Sequence, residues 1–317
     1  MGIKAQVMQS TTDMTRDEWL EFRKKGIGGS DAASIAGFNK WKSPIVVYME
    51  KVGEVPNAAP SNEEAAYWGN VMEETVAREF SQRSGLKVRK RNAILQHPEH
   101  NWMLANVDRL IVGRNEGLEC KTASEFLKDE WNGEETPMAY LLQCQHYMAV
   151  TGADAWWIAV LIGGNKFVYK KIERDEELIK NLIALEKEFW EEHILKQNPP
   201  EIDGSDASTD FLKSMYPDAD PESETELDPD SDKLLVALGQ IKEELSDLSE
   251  QKKKYENKLK EKLGTYEKGF SNHFVVTWKS QERRTVDSKR LKAEKPELYE
   301  EYSKLSKSRP LKYKEAK

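Results

Sequence analysis

The chain has 317 residues, 33% of them charged, and a formal net charge of −8. It holds no apolar run of roughly 18 residues and no signal peptide before Met8, which excludes a membrane helix and predicts a soluble, cytoplasmic protein of one large domain with an extension, or of two domains. Two cysteines without metal spacing and five histidines without a zinc pattern exclude a disulfide scaffold and a zinc module.

Thr15 and Glu18 make a capping-box signature for a short helix with Trp19 and Phe22 on one face, and Gly26 can end it. Gly28-Gly29 lets the backbone approach closely, and Ser30 or Asp31 can cap a second helix through Ala33 and Ile35. With Arg23 nearby in sequence, such a turn can bind a terminal phosphate through backbone N–H groups, the hydroxyl and the guanidinium. A plain turn and cap fits the same residues. Ala65, Trp68, Val71, Met72, Val76 and Phe80 recur at helical spacing and predict a helix over 63–84 with a buried stripe. Glu73 points along that stripe, whereas Glu74 falls on the wetter side. A carboxylate aimed at a core needs a metal or a basic partner, and a rim Glu73 paired with Arg or Lys is the plainer reading.

Residues 103–112 are apolar enough for one strand, 113–117 read as a turn, and 118–122 as the returning strand. Such a hairpin sets Asp108 across from Glu119, with Glu119 and Lys121 on one face and Cys120 on the other. Two carboxylates beside one ammonium suit a hard cation and an activated water, which Lys121 can hold or deprotonate while offsetting charge on a phosphate. In so charged a chain the same spacing also arises as a solvated hairpin with a cross-strand ion pair. Thr136 as cap, Pro137 at the first position and Gly152 as terminator delimit a helix to Thr151. Gln143 and Tyr147 share a face of it, and Leu141, Cys144 and Met148 face the core. Gln143 can reach a phosphate or a water, or be a satisfied surface glutamine.

Residues 156–162 and 167–172 read as a hairpin about Gly163-Gly164-Asn165, and a helix over 175–195 closes this unit before Pro199-Pro200. Residues 201–232 carry twelve acids against Lys213 alone and are predicted to be a partly mobile linker. From Leu234 to Leu259, apolar residues alternate four and three apart, broken by Lys252, as a heptad seam on one helix to about Leu263. That seam can pack on its own chain or self-associate. The tail holds fourteen Lys or Arg over 265–317, a strand at 274–278, Arg283-Arg284 and a short helix at 296–303. The predicted division is a core at 1–200, a linker at 201–232, and a helix with basic tail at 233–317.

Together these segments resemble the phage lambda exonuclease, or YqaJ-type viral recombinase, family within the PD-(D/E)xK nuclease superfamily, over residues 15–195. The likeness runs in order through Arg23 seven residues before Ser30, Gly69 and Glu73, Asp108, Glu119-Cys120-Lys121, and Gln143-Cys144-Gln145 before Tyr147. Val107 stands where the family often has proline, which supplies stiffness but no ligand. The resemblance implies an α/β (α+β) restriction-endonuclease-like core, a central mixed sheet flanked by helices, with a helical and small β appendage. It further implies Mg²⁺-dependent digestion of duplex DNA ends 5′→3′ to leave a 3′ strand, with Mn²⁺ as a substitute and two ions expected. A ring homo-oligomer, a trimer by preference, and a single-strand annealing recombinase as partner belong to the same expectation.

Carried onto this chain, Asp108, Glu119 and the Cys120 carbonyl bind metal, and Lys121 handles the attacking water. Glu73 orients a water of the metal or completes a second metal site. Arg23 and Ser30 hold the 5′-phosphate, and Gln143 positions the scissile strand. A structure-specific endonuclease of the same fold and a non-catalytic DNA-end adaptor are the alternatives. Net charge permits DNA binding without arguing for it, because the negative excess is concentrated in the linker.

Overall fold

The computed structural model describes residues 5–54 and 63–314. Thr15 caps the first helix as expected, its hydroxyl accepting from Glu18 N–H while the Glu18 side chain returns to the Thr15 backbone. In chain order come β1 (Gln6–Ser10), α1 (Arg16–Arg23), β2 (Ile27–Gly28), α2 (Gly29–Ile35), α3 (Pro44–Val52) and α4 (Glu63–Ser84). Then follow β3 (Val88–Lys90), β4 (Ala93–Gln96), β5 (Met103–Asn106), β6 (Arg109–Ile111) and β7 (Glu116–Ala123). After a 3-10 turn at Glu125–Trp131 come α5 (Met138–Thr151), β8 (Ala155–Ile162), β9 (Lys166–Glu173) and α6 (Glu176–Glu188). The last of these continues as a π-helical stretch, Phe189–Leu195.

The expected mixed sheet is five-stranded, in the order β3-β6-β7-β8-β9, with β7 and β8 parallel and the other neighbours antiparallel. A second sheet, β1-β4-β5-β2, stands beside it. The continuous strand expected over 103–112 is therefore two strands in two sheets. β5 pairs with β4 up to Ile94↔Asn106, and β6 pairs with β7 from Arg109↔Leu118. Val107 and Asp108 make the crossing between them, and the Asp108 carboxylate accepts from Cys120 N–H at 2.8 Å. A side chain there takes the place of a ladder partner, so the acid is fixed where the chain changes sheets.

Alternation along β7 and β8 directs two cores to opposite faces. On one face Trp156, Ile158, Val160 and Ile162 pack with Cys144, Met148 and the β4–β5 residues Leu95 and Met103. On the other, Leu118 and Ala159 pack against Val76, Ala77 and Phe80 of α4. The sheet is thus flanked by helices on both sides, α5 and α4. Only the second half of α4 is buried: Trp68 and Val71 remain half exposed, so the stripe predicted from spacing ends at the sheet's edge. The start of α5 shifts by one residue, because Pro137, not Thr136, is the cap. Gly152 closes it in the left-handed conformation, φ 67°, where a side chain would be strained.

The first unit continues to Tyr216, past residue 200. Residues Asp206–Met215 form α7, with Ala207 and Ser208 buried and Phe211 packed on the first core. Acidic composition misled here. Asp203 is spent on the Ser205 and Ser208 hydroxyls, and the apolar face of a short amphipathic helix is covered. The second unit contains α8 (Pro229–Leu263), a hairpin of β10 (Lys268–Phe270) and β11 (Val275–Thr277), α9 (Ser288–Glu294) and α10 (Pro296–Tyr302). Among the described residues no helix is long and apolar enough to cross a membrane.

Candidate active site

The β6–β7 ladder ends at Arg109↔Leu118, so Asp108 and Glu119 flank its last pair, and Cys120 N–H donates to the Asp108 carboxylate. Glu119 is buried, and its Oε1 accepts from Lys121 Nζ at 2.6 Å and from Gln143 Nε2 at 2.7 Å. Glu119 Oε2 is equally buried and has no hydrogen-bond partner among the described residues. Burial, and then the neighbouring Glu119 carboxylate, pushes the Asp108 carboxyl well above the usual range despite Lys121. Burial works against the Lys121 ammonium, but Glu119 and Asp108 outweigh it and hold the group above its ordinary value. The Lys121 ammonium is thus placed beside both carboxylates, where it can orient a water or meet a phosphate oxygen.

Two carboxylates with one ammonium leave an excess of negative charge, with one oxygen aimed at no donor. That is the electrostatic complement of a hard cation. Among the described residues no group of three or more His, Cys, Asp and Glu side chains is gathered to hold a metal. The carboxylates gathered here are therefore two, Asp108 and Glu119, with the Cys120 backbone between them and Lys121. Glu73 is turned to Arg109, with which it makes a close ion pair. Arg109 is itself almost fully buried; it also binds Glu74 at 3.0 Å and the Asp108 carbonyl at 2.7 Å. It fastens α4 to the hairpin. The rim pairing of Glu73 weighed from the sequence is the one observed, and Glu74, expected on the wetter side, shares the same arginine.

A second cluster forms at the Gly28-Gly29 turn. The helix cap is Gly28, and Asp31 reaches back to accept from Gly28 N–H at 3.1 Å. Asp31 has no exposed surface and holds three cations: Lys51 at 2.6 Å, Lys42 at 2.9 Å and Arg23 at 3.0 Å. Burial would raise its carboxyl, but Lys42, Lys51 and Arg23 together hold it well below the usual range. Arg23 also donates to Ser30 Oγ at 3.2 Å. With Glu50 on Lys42 at 2.5 Å, three cations face two carboxylates, and the cluster keeps an excess positive charge. It borders a cavity of about 250 Å³ lined by Arg23, Ser30, Lys51, Trp19, Phe22 and Tyr147 among others.

The two clusters adjoin. Asn106, two residues before Asp108, lines the same cavity. Gln143 Nε2 donates both to Glu119 and to the Tyr147 hydroxyl, at 2.8 Å, and the Tyr147 ring lies against Gly29, where a Cβ would come within 2.5 Å. Gln143 is buried, so it holds Glu119 and Tyr147 and does not stand open to solvent. The structure thus sets Arg23 and Ser30 on the cavity, and joins the Asp108, Glu119, Lys121 and Gln143 cluster to it through the Gln143–Tyr147 hydrogen bond. Asp31, Lys42, Lys51 and Arg109 were missed as site residues. The signal for Asp31 was its place three residues after the cap.

An acidic residue at a strand crossing, Glu-x-Lys on the adjoining strand of a mixed sheet, and helices on both faces define the PD-(D/E)xK type of α/β core. Residues 18–154 match the YqaJ-like viral recombinase domain. Over 303 residues the chain is 44% identical to the uncharacterized protein YqaJ of Bacillus subtilis (strain 168), covering 95% of each. The chain belongs to the YqaJ-like viral recombinase family. Among solved structures it is similar to the alkaline exonuclease LHK-Exo of Laribacter hongkongensis, with 18% identity, a TM-score of 0.46, and coverage of 57% of this chain and 93% of that one. The complex of LHK-Exo with dAMP gives 17% identity, a TM-score of 0.47, and 63% and 97% coverage.

Proposed function

We propose that this protein is a Mg²⁺-dependent exonuclease that digests linear duplex DNA 5′→3′ and leaves a 3′ single strand. One observation carries the reading: a buried carboxylate pair, with an adjacent ammonium and one oxygen that meets no donor among the described residues, is tied through Gln143 and Tyr147 to a cavity bordered by excess positive charge. Asp108 and Glu119, with the Cys120 carbonyl, would hold the ion, and Mn²⁺ suits the same oxygen donors. A second ion would need Glu73 to leave Arg109. Bound there, Mg²⁺ would offset charge developing on the scissile phosphate and favour ionisation of the attacking water.

The chain's own residues set the geometry. Gln143 fixes Glu119, and the Lys121 ammonium donates to the water or to a phosphate oxygen. Arg23 and Ser30, backed by Lys51, would bind a terminal 5′-phosphate through charge-assisted hydrogen bonds. Anchoring the 5′ terminus beside the carboxylates favours cleavage close to that end, which supports the 5′→3′ polarity. The family's description as a viral recombinase supports a place in phage-type recombination. A single-strand annealing protein would take up the 3′ strand there, and a ring of three chains around the duplex would keep the enzyme on its substrate.

Time courses on duplexes labelled at either end, with and without Mg²⁺, test the reaction; covalently closed branched DNA should survive. Loss of label from the 3′ end first, or cutting of the closed substrate, would refute it in favour of the other polarity or an endonuclease. A 5′-phosphorylated end should be digested roughly ten-fold faster than a 5′-hydroxyl end, and Arg23→Ala should remove the difference.

A further inference from the structure

Among the described residues helix α8 presents an apolar seam that its own unit leaves largely exposed, with Tyr313 of the tail meeting the helix at Lys242. Leu238, Ile241, Leu245, Leu248, Tyr255 and Leu259 are between 39% and 63% exposed, along a helix of 35 residues. The hairpin of β10 and β11 meets α8 at its end, where Leu263 is buried and a Cβ on Gly269 would come within 2.8 Å of it. Spacing places Leu238, Leu245, Lys252 and Leu259 at one heptad position and Leu234, Ile241, Leu248, Tyr255 and Lys262 at the other. A seam this long needs a cover of the same period, and a second α8 has it.

We propose that α8 pairs with α8 of a second copy of this chain, as an antiparallel two-stranded coiled coil centred near residue 250. The flanking charges choose the direction. In an antiparallel pair about that centre, Leu245 meets Tyr255 of the other copy, Ile241 meets Leu259, and Leu248 meets Lys252. The same register brings Lys242 to Glu256 and Glu244 to Lys258 across the seam, each twice by symmetry. The remaining flanking pairs, Ser249 with Ser249, Gln251 with Gln251 and Leu235 with Leu263, include no like charges. A parallel in-register pair would instead stack Lys252 on Lys252 and Lys262 on Lys262. It would also set Glu244 against Ser249 and Gln251 against Glu256, with no opposite charges matched. Opposite charges at these flanking positions set partner and orientation in coiled coils. The contact is isologous, so it closes on two copies; added to the three-chain ring proposed for the nuclease unit, it would join two rings into six chains, whereas a lone ring of three would lack it.

Two measurements on the full-length protein test this. In light scattering, the wild type should contain an even number of chains. Glu244→Lys should weaken association by roughly ten-fold at low salt, since each exposed pair is weak but changes sign twice. The double variant Glu244→Lys with Lys258→Glu should restore it. Separately, Leu245→Cys and Tyr255→Cys proteins should give little covalent dimer alone with a short thiol-bridging reagent, above the background from Cys120 and Cys144. An exchanged mixture of the two should give a strong dimer band. An odd number of chains in the wild type, failure of the charge swap to rescue, or bridging by each variant alone as strongly as by the mixture would overturn the proposal.

Discussion

Asp108→Asn should abolish cleavage and, in chelator, make the protein more stable. The carboxyl lies against Glu119 with the Lys121 ammonium shared between them, and among the described residues Glu119 Oε2 has no donor. An asparagine keeps an oxygen for Cys120 N–H, now at 2.8 Å from Asp108, and removes the repulsion. Relief of a buried, poorly satisfied charge of this kind amounts to about 1–2 kcal/mol. For a unit of this size that shifts Tm upward by roughly 2–8 °C.

The pH dependence follows from the raised carboxyl. Its contribution to stability is fully present below the unfolded value, near 3.8, and is lost as pH rises through the higher folded one. The metal-free wild type should therefore lose stability across that window, and Asp108→Asn should not. Adding Mg²⁺ at a hundred times its Kd should return about 2.7 kcal/mol to the wild type and little to the variant. Thermal melts at several pH values, in chelator and in Mg²⁺, read all three effects. A variant that melts below the wild type at alkaline pH in chelator, or gains as much from Mg²⁺, would refute the reasoning.

Lys121→Ala should eliminate turnover while leaving binding of duplex ends within a few-fold, because both carboxylates stay; near-normal single-turnover rates would show the site misassigned. Asp31→Asn should cost about 3–5 kcal/mol in denaturant titrations, since it strands Lys51 and Arg23 without their carboxylate, while Lys42 keeps Glu50. Asp31 is held well below its usual range, so its contribution is present above the unfolded value and lost only as pH falls through the lower folded one; the asparagine protein should lack it throughout, and equal stability of the two at neutral pH would count against the cluster. A chain ending at Tyr216 should fold and digest duplex ends, whereas one ending at Pro200 exposes the surface that α7 covers and should melt lower; indistinguishable melts would leave α7 without that role.

Periodicity made the main elements legible. The hairpin, α4, α5 and α8 could be drawn from the spacing of apolar residues and the glycines that end them, because tertiary packing here agrees with local preference. The places where reading failed share one cause: what decides them lies far away in sequence. Met103 to Ile111 looks like a single strand until β4 and β7 compete for its two halves, and the break falls at the residue carrying the candidate metal-binding carboxylate. Asp31 resembles an ordinary cap residue, and only the return of Lys42 and Lys51 shows that its carboxylate anchors a cationic cluster. Arg109 follows Asp108 directly, but its role comes from an α4 carboxylate 36 residues earlier in the chain. The parts sequence reveals are thus those exposed to the chemistry, whereas the groups that hold them take meaning only when distant segments meet. A buried charge needs compensating partners wherever the chain can supply them, so the supporting residues here are dispersed across α1, α3 and α4 instead of gathered in a motif.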